Sequence, residues 1–202
     1  MKMLTNKFFD QDAQELARAL LGKVLRHRVD GRWLSAMITE TEAYYRNEKA
    51  SHSSLGFTPK RRAMFMPPGT IYMYYARGGD SLNISVQGEG NAVLIKAARA
   101  WFDKISPPEN LAIMQQMNPI GKDRRQRSPD RLCSGQTLLC RSLGLKVNDW
   151  DQKNFLADRF YIDDLGIVPE RIVQTTRLGI PKGRDEHLPY RFIFLGVPHS
   201  LG

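Results

Sequence analysis

Cysteine is nearly absent from this chain of 202 residues, which holds only Cys133 and Cys140. That excludes a disulfide framework, and the pair reads as two reduced, buried thiols. None of His27, His52, His187 and His199 stands at metal-ligand spacing from either cysteine, so no metal or other cofactor is expected. Long apolar runs are missing as well. The longest stretch without a charge, Ala63 to Ala76, is broken by Pro67-Pro68-Gly69, far from the ~20 apolar residues of a membrane span. The start of the chain lacks the apolar segment of a secretion signal, so an intracellular location (cytoplasm, nucleoid or nucleus) is expected. There is no internal repeat, no glycine-rich phosphate loop or dinucleotide fingerprint, and no Gly-x-Ser-x-Gly elbow. Acidic residues are also in short supply. Against 30 lysines and arginines stand 21 aspartates and glutamates, a net charge of +9 that favours a polyanionic partner without naming one.

An apolar share of 42% and a charged share of 25% are globular values. A single domain over residues 1–202 is expected, long enough to bury roughly 70% of its unfolded surface. Asp12 to Leu21 reads as a helix, with a capping box at Asp12-x-x-Glu15 and a stop at Gly22. Residues 23–29 and 32–41 read as strands joined by Asp30-Gly31, the strongest short hairpin signal. A second hairpin joins residues 70–76 to 81–86. With Gly78-Gly79 as its turn, Tyr74 would face Asn83 and Tyr75 would face Leu82. One side then carries Ile71, Met73, Tyr75, Leu82, Ile84 and Val86 toward a core; the other carries Tyr72, Tyr74, Asn83 and Ser85. Residues 92–96 form a further strand. Ser106-Pro107-Pro108-Glu109 predicts a capped helix to Met117, and a helix from Gly135 to Leu143 stops at Gly144. Residues 159–163, 171–176 and 190–195 read as later strands. The fold class is α+β: a curved, mostly antiparallel sheet flanked by helices, with a protruding β-hairpin.

Three clusters carry possible chemistry. Glu40 and Glu42 share the parity of Leu34, Ala36 and Ile38. Burying two carboxylates needs a reason: either each meets an arginine, or the strand ends near Thr39, or they are functional. His52 lies in a polar loop, where a histidine is ordinarily just solvated. Tyr72 and Tyr74 could be core or a stacking platform. Leu178-Gly179-Ile180 has the glycine turn of a helix-hairpin-helix module without the flanking helical pattern.

Taken in order, these segments resemble the alkyladenine (3-methyladenine) DNA glycosylase family, the type without a helix-hairpin-helix. The matching stretches are Phe8-Phe9 through Gly22, Glu40-Thr41-Glu42-Ala43-Tyr44, Ala50-Ser51-His52-Ser53 and Met64 through Tyr74. Leu82-Asn83-Ile84-Ser85, Leu132-Cys133-Ser134-Gly135 and Arg177-Leu178-Gly179-Ile180 also match. The resemblance implies an enzyme that flips alkylated or deaminated purines out of double-stranded DNA and hydrolyses the N-glycosidic bond, leaving an abasic site. It implies a metal-free monomer with no membrane partner. By resemblance Glu42 is the general base, and Tyr44, His52, Tyr74 and Asn83 form the base pocket. Lys96 stands where an arginine usually supports the catalytic water. A cationic alkylated purine would gain about 0.5 to 2 kcal/mol from the aromatic faces.

The hairpin tip departs from the family pattern. It is one residue shorter and lacks the usual bulky tyrosine, which leaves Arg77 as the expected wedge and Tyr75 as the second choice. Arg124, Arg125 and Arg127, in the basic loop 122–131, are expected DNA contacts. Two other readings stand beside this one. A non-catalytic nucleic-acid-binding module would need no acid at position 42, and a two-carboxylate glycoside hydrolase would need both Glu40 and Glu42.

Overall fold

The computed structural model describes residues 2–76 and 78–196. The expectation placed on Arg77 therefore lies outside the described residues. A short helix α1 (Asn6–Phe9) leads to α2 (Ala13–Ala19), whose first backbone N–H groups, on Gln14 and Glu15, donate to the Asp12 carboxylate. The helix stops at Ala19, earlier than expected, and Leu20 and Leu21 are buried in the turn that follows. β1 (Val24–Val29) and β2 (Arg32–Tyr44) form the first hairpin. At its turn Asp30 and Gly31 take φ of 47° and 79°, the paired left-handed conformation that suits a tight turn between twisted strands. β3 (Ile71–Ala76), β4 (Gly79–Ser85) and β5 (Ala92–Ala100) follow, then α3 (Asn110–Met117), α4 (Gln136–Leu143) and α5 (Val147–Trp150). β6 (Phe160–Asp163), β7 (Arg171–Thr175) and β8 (Arg191–Leu195) complete the set.

The fold class is α+β, as expected. Neighbouring strands run in the order β3-β4-β5-β2-β1-β6, and a β7–β8 hairpin joins at β2 through β8. Each pairing is antiparallel. β2 organises the sheet. On one edge its first half pairs with β1 and its second half with β8; along the other edge runs β5. Leu16, Leu34, Ile38, Ile84, Ile95, Leu139 and Trp150 belong to one buried apolar cluster between these strands and the helices.

β2 carries an irregularity midway. Ile38 faces Ala98, Glu40 faces Ala97 and Thr41 faces Ile95, so Thr39 and Lys96 have no partner in the ladder. Such a bulge bends a strand and re-aims its side chains. Beyond it, the Thr41 hydroxyl donates to the Ala17 carbonyl of α2 at 2.7 Å. By alternation Glu42 points away from α2.

Three expectations are corrected. Gly78-Gly79 is not the β3–β4 turn: Ala76 faces Gly79, Tyr74 faces Ser81 and Tyr72 faces Asn83. Gly78 takes the left-handed φ of 80°, while Gly79 enters the strand pressed against α4. A two-residue change of partner leaves every side chain on its expected face, and Ile71, Met73, Leu82 and Ile84 are buried. Tyr75 shares their parity but lies beyond the end of the core, 67% exposed. Finally, Ser106 caps no helix. Its hydroxyl donates to the Trp33 carbonyl at 2.8 Å, a bond that pins the loop to β2, and α3 starts only at Asn110.

Candidate active site

Just beyond the bulge in β2, Glu42 lies behind the wall of a cavity of about 520 Å³. Its side chain is fully buried, and three donors hold it. The Tyr44 hydroxyl donates to Oε2 at 2.7 Å, and the Leu178 backbone N–H donates to Oε1 at 3.1 Å. The Lys96 ammonium lies 3.4 Å from Oε1. Tyr44, Lys96 and Leu178 all line the cavity, so Glu42 sits directly behind its wall. The irregularity that leaves Lys96 out of the ladder is the same one that re-aims Glu42, which brings the two together. Burial, with the Glu42 carboxylate beside it, pushes the Tyr44 phenol far above its usual range, so Tyr44 stays a donor to that carboxylate.

Glu40 is engaged elsewhere. Its Oε1 accepts from Arg191 Nε of β8 at 2.6 Å, and it does not line the cavity. This removes the two-carboxylate arrangement that a glycoside hydrolase would need.

The hairpin supplies the opposite wall. Tyr72 and Tyr74 lie on one face of β3, with Asn83 across from Tyr72, and Asn83 Nδ2 donates to the Tyr72 carbonyl at 3.1 Å. His52 stands at the rim. Its Nδ1 is 2.8 Å from the Tyr72 hydroxyl, and its ring centroid is 4.6 Å from that of Tyr74, inclined at 69°. Partial burial, with the charges of Arg61 and Arg184, holds the His52 pKa below its ordinary value. Both influences favour the neutral imidazole.

Several lining residues have no site role assigned by their sequence motifs. Gln136, the first residue of α4, donates from Nε2 to the Ser81 hydroxyl at 2.9 Å and, weakly, to the Tyr74 hydroxyl at 3.4 Å. Leu178, Gly179, Ile180 and Pro181 form a further wall. Behind them, Arg177 is buried. Its Nη1 donates to the Ala43 carbonyl at 2.9 Å, its Nη2 lies 2.5 Å from Glu48 Oε2, and its guanidinium covers one face of Tyr44 at 4.5 Å. A buried arginine that far along the chain is legible only once β2 and residues 177–181 are seen side by side.

The family model for methylpurine-DNA glycosylase (MPG) matches residues 7–198 of this chain. The chain belongs to the methylpurine-DNA glycosylase family. A Pseudomonas fluorescens (strain Pf0-1) protein, provisionally named a 3-methyladenine DNA glycosylase, is 61% identical over 190 residues, covering 94% of this chain and 82% of its own length. A protein of Pseudomonas aeruginosa (strain LESB58) with the same provisional name is 58% identical over 190 residues, covering 94% of this chain and 79% of its own. The DNA-3-methyladenine glycosylase of Mus musculus is 40% identical over 204 residues, covering 95% of this chain and 59% of its own.

Of the residues that the resemblance to methylpurine-DNA glycosylases singled out, Tyr44, His52, Tyr74, Asn83 and Lys96 line one cavity, with Glu42 behind it. Tyr75 lies outside it, exposed on the hairpin. Arg124, Arg125 and Arg127 do not reach it. Arg125 pairs with Asp123 at 2.7 Å, Arg127 Nε donates to the Asn118 carbonyl at 3.2 Å, and Arg124 Nη2 donates to that of Gln116 at 3.3 Å.

Proposed function

We propose that this protein is a DNA glycosylase of base-excision repair that removes alkylated purines, 3-methyladenine among them, from duplex DNA. The observation that carries this reading is the buried carboxylate of Glu42. It is held by Tyr44, Leu178 and Lys96 against an aromatic cavity in a chain of this family. The damaged base rotates out of the stack and enters between Tyr44 on one side and His52 with Tyr74 on the other. Water attacks C1′ of the deoxyribose and gives its proton to Glu42, while the electrons of the N-glycosidic bond leave with the base. The sugar gains oxocarbenium character in that step, and the negative carboxylate stabilises it. An alkylated, cationic purine departs neutral, so this leaving group needs no protein acid. Asn83 crowds the exocyclic amine of normal guanine, and Lys96 orients the water beside Glu42. An abasic site remains, and the DNA strand is not cut.

Arg77 is the wedge in this proposal, and the exposed Tyr75 is the second choice. Arg124, Arg125 and Arg127 hold phosphates.

The test replaces Glu42 with Gln and measures 3-methyladenine release from alkylated duplex DNA. Release is expected to fall by about 10² to 10⁴, the range for a general base, with duplex binding retained. Release at the wild-type rate would overturn Glu42 as the general base, and a wild-type protein that binds duplex but releases no base would favour the non-catalytic binding module.

A further inference from the structure

The arginine behind Tyr44 bears on which bases the cavity accepts. Arg177 covers one face of the Tyr44 ring at 4.5 Å, yet it is buried and does not line the cavity. The cavity is left with the ring's edge and other face. A cation on one face of an aromatic ring occupies the negative quadrupole that would attract a cation on the other, and it repels that cation through a medium of low polarity. The cavity already carries Lys96 and Arg184. A further unmatched positive charge behind Tyr44 would act against a cationic guest and leave a neutral one almost untouched.

The charge is matched by Glu48, whose Oε2 lies 2.5 Å from Arg177 Nη2. Glu48 is itself buried, and its Oε1 accepts from the Tyr45 backbone N–H at 2.8 Å. We propose that Glu48 is a specificity-determining residue: by neutralising Arg177 behind Tyr44, it sets how well the pocket tolerates a cationic purine relative to a neutral one. This rests on the reading that the cavity receives a flipped base. Glu48 touches neither the base nor the reacting atoms and acts through Arg177 and Tyr44. Arg177 also anchors the segment whose Leu178 N–H holds Glu42. A purely structural role for the pair would therefore depress the release of every lesion alike, whereas a charge effect changes the ratio between lesions.

The experiment measures single-turnover release of 7-methylguanine, which is cationic, and of hypoxanthine, which is neutral, from otherwise identical duplexes. Glu48→Gln is expected to lower the ratio of cationic to neutral release roughly three- to tenfold. Combining Glu48→Gln with Arg177→Gln is expected to return the ratio to near the wild-type value, whatever happens to the absolute rates. If Glu48→Gln alone does not fold, the double variant is compared with Arg177→Gln, where the lone carboxylate is expected to move the ratio toward the cation. An unchanged ratio across the folded variants overturns the proposal and leaves the glycosylase reading intact. Failure of the wild-type protein to release either base overturns both.

Discussion

At the scale of single residues, burial decides protonation. His27 of β1 lies under Trp150 and Phe160, with Nδ1 2.6 Å from the Leu143 carbonyl, and the Trp150 indole N–H donates to its Nε2 at 3.1 Å. One nitrogen donates and the other accepts, so the ring is the neutral Nδ1–H tautomer. Burial is the main cause that lowers its pKa; Arg159 lowers it further, against the Leu143 carbonyl and Asp149. A histidine whose folded pKa lies below the unfolded 6.5 contributes stability that is complete above that value and lost as pH falls through the folded one. Stability is expected to decline on acidification below about pH 6.5, by at most about 1.4 kcal/mol per pH unit from this group. Denaturant titrations across that window should show a shallower slope in His27→Gln. An equal slope would assign the loss to other groups. The carboxylates of Asp103 and Asp164, held below their usual pKa, release their stabilisation only at lower pH.

At the scale of elements, the β3–β4 hairpin is seated on α4. Arg141 Nη2 donates to the Gly78 carbonyl at 2.7 Å, and the Val147 N–H donates to Asp80 at 3.0 Å. A Cβ placed on Gly79 would meet Thr137 Cβ at 2.6 Å, closer than van der Waals contact allows. Gly79→Ala is expected to cost about 1 to 3 kcal/mol as an overpacking change. It should also weaken base release, because Thr137 and Gln136 line the cavity wall that the hairpin faces. Thermal unfolding and 3-methyladenine release check the two effects separately. Much at this scale was legible in the sequence. Asp30-Gly31 named its own turn, and period-two alternation put Ile71, Met73, Leu82 and Ile84 inside and Tyr72 and Tyr74 on the cavity side. The turn of the second hairpin was not legible, because Gly78 and Gly79 look alike in sequence and only the nearness of Thr137 distinguishes them. The role of Ser106 was hidden for the same reason: its partner, Trp33, lies 73 residues away. At the site, Glu42, Tyr44 and His52 stand in short family motifs. The pairing of Arg177 with Glu48 joins two segments that no local pattern connects.

At the scale of the whole molecule, the net charge of +9 becomes an attraction to phosphates. Nonspecific duplex binding is expected to weaken about a hundredfold between 50 and 200 mM salt if four phosphates are neutralised. Fluorescence anisotropy with undamaged duplex measures this slope, and a flat response would detach the charge from DNA. The arrangement around Glu42 joins distant parts of the chain as well. Glu42 and the Leu178 N–H that donates to it are separated by 136 positions. During synthesis the ribosome completes β1 to β5, with Glu42, Tyr44 and the tyrosines of the hairpin, well before Leu178 is added. The growing polypeptide thus carries Glu42, Tyr44 and the hairpin tyrosines early, whereas the wall of residues 178–181 and the Leu178 donor to Glu42 come late. Under the proposed function, the site that would act on DNA is in this way incomplete until most of the chain has been translated.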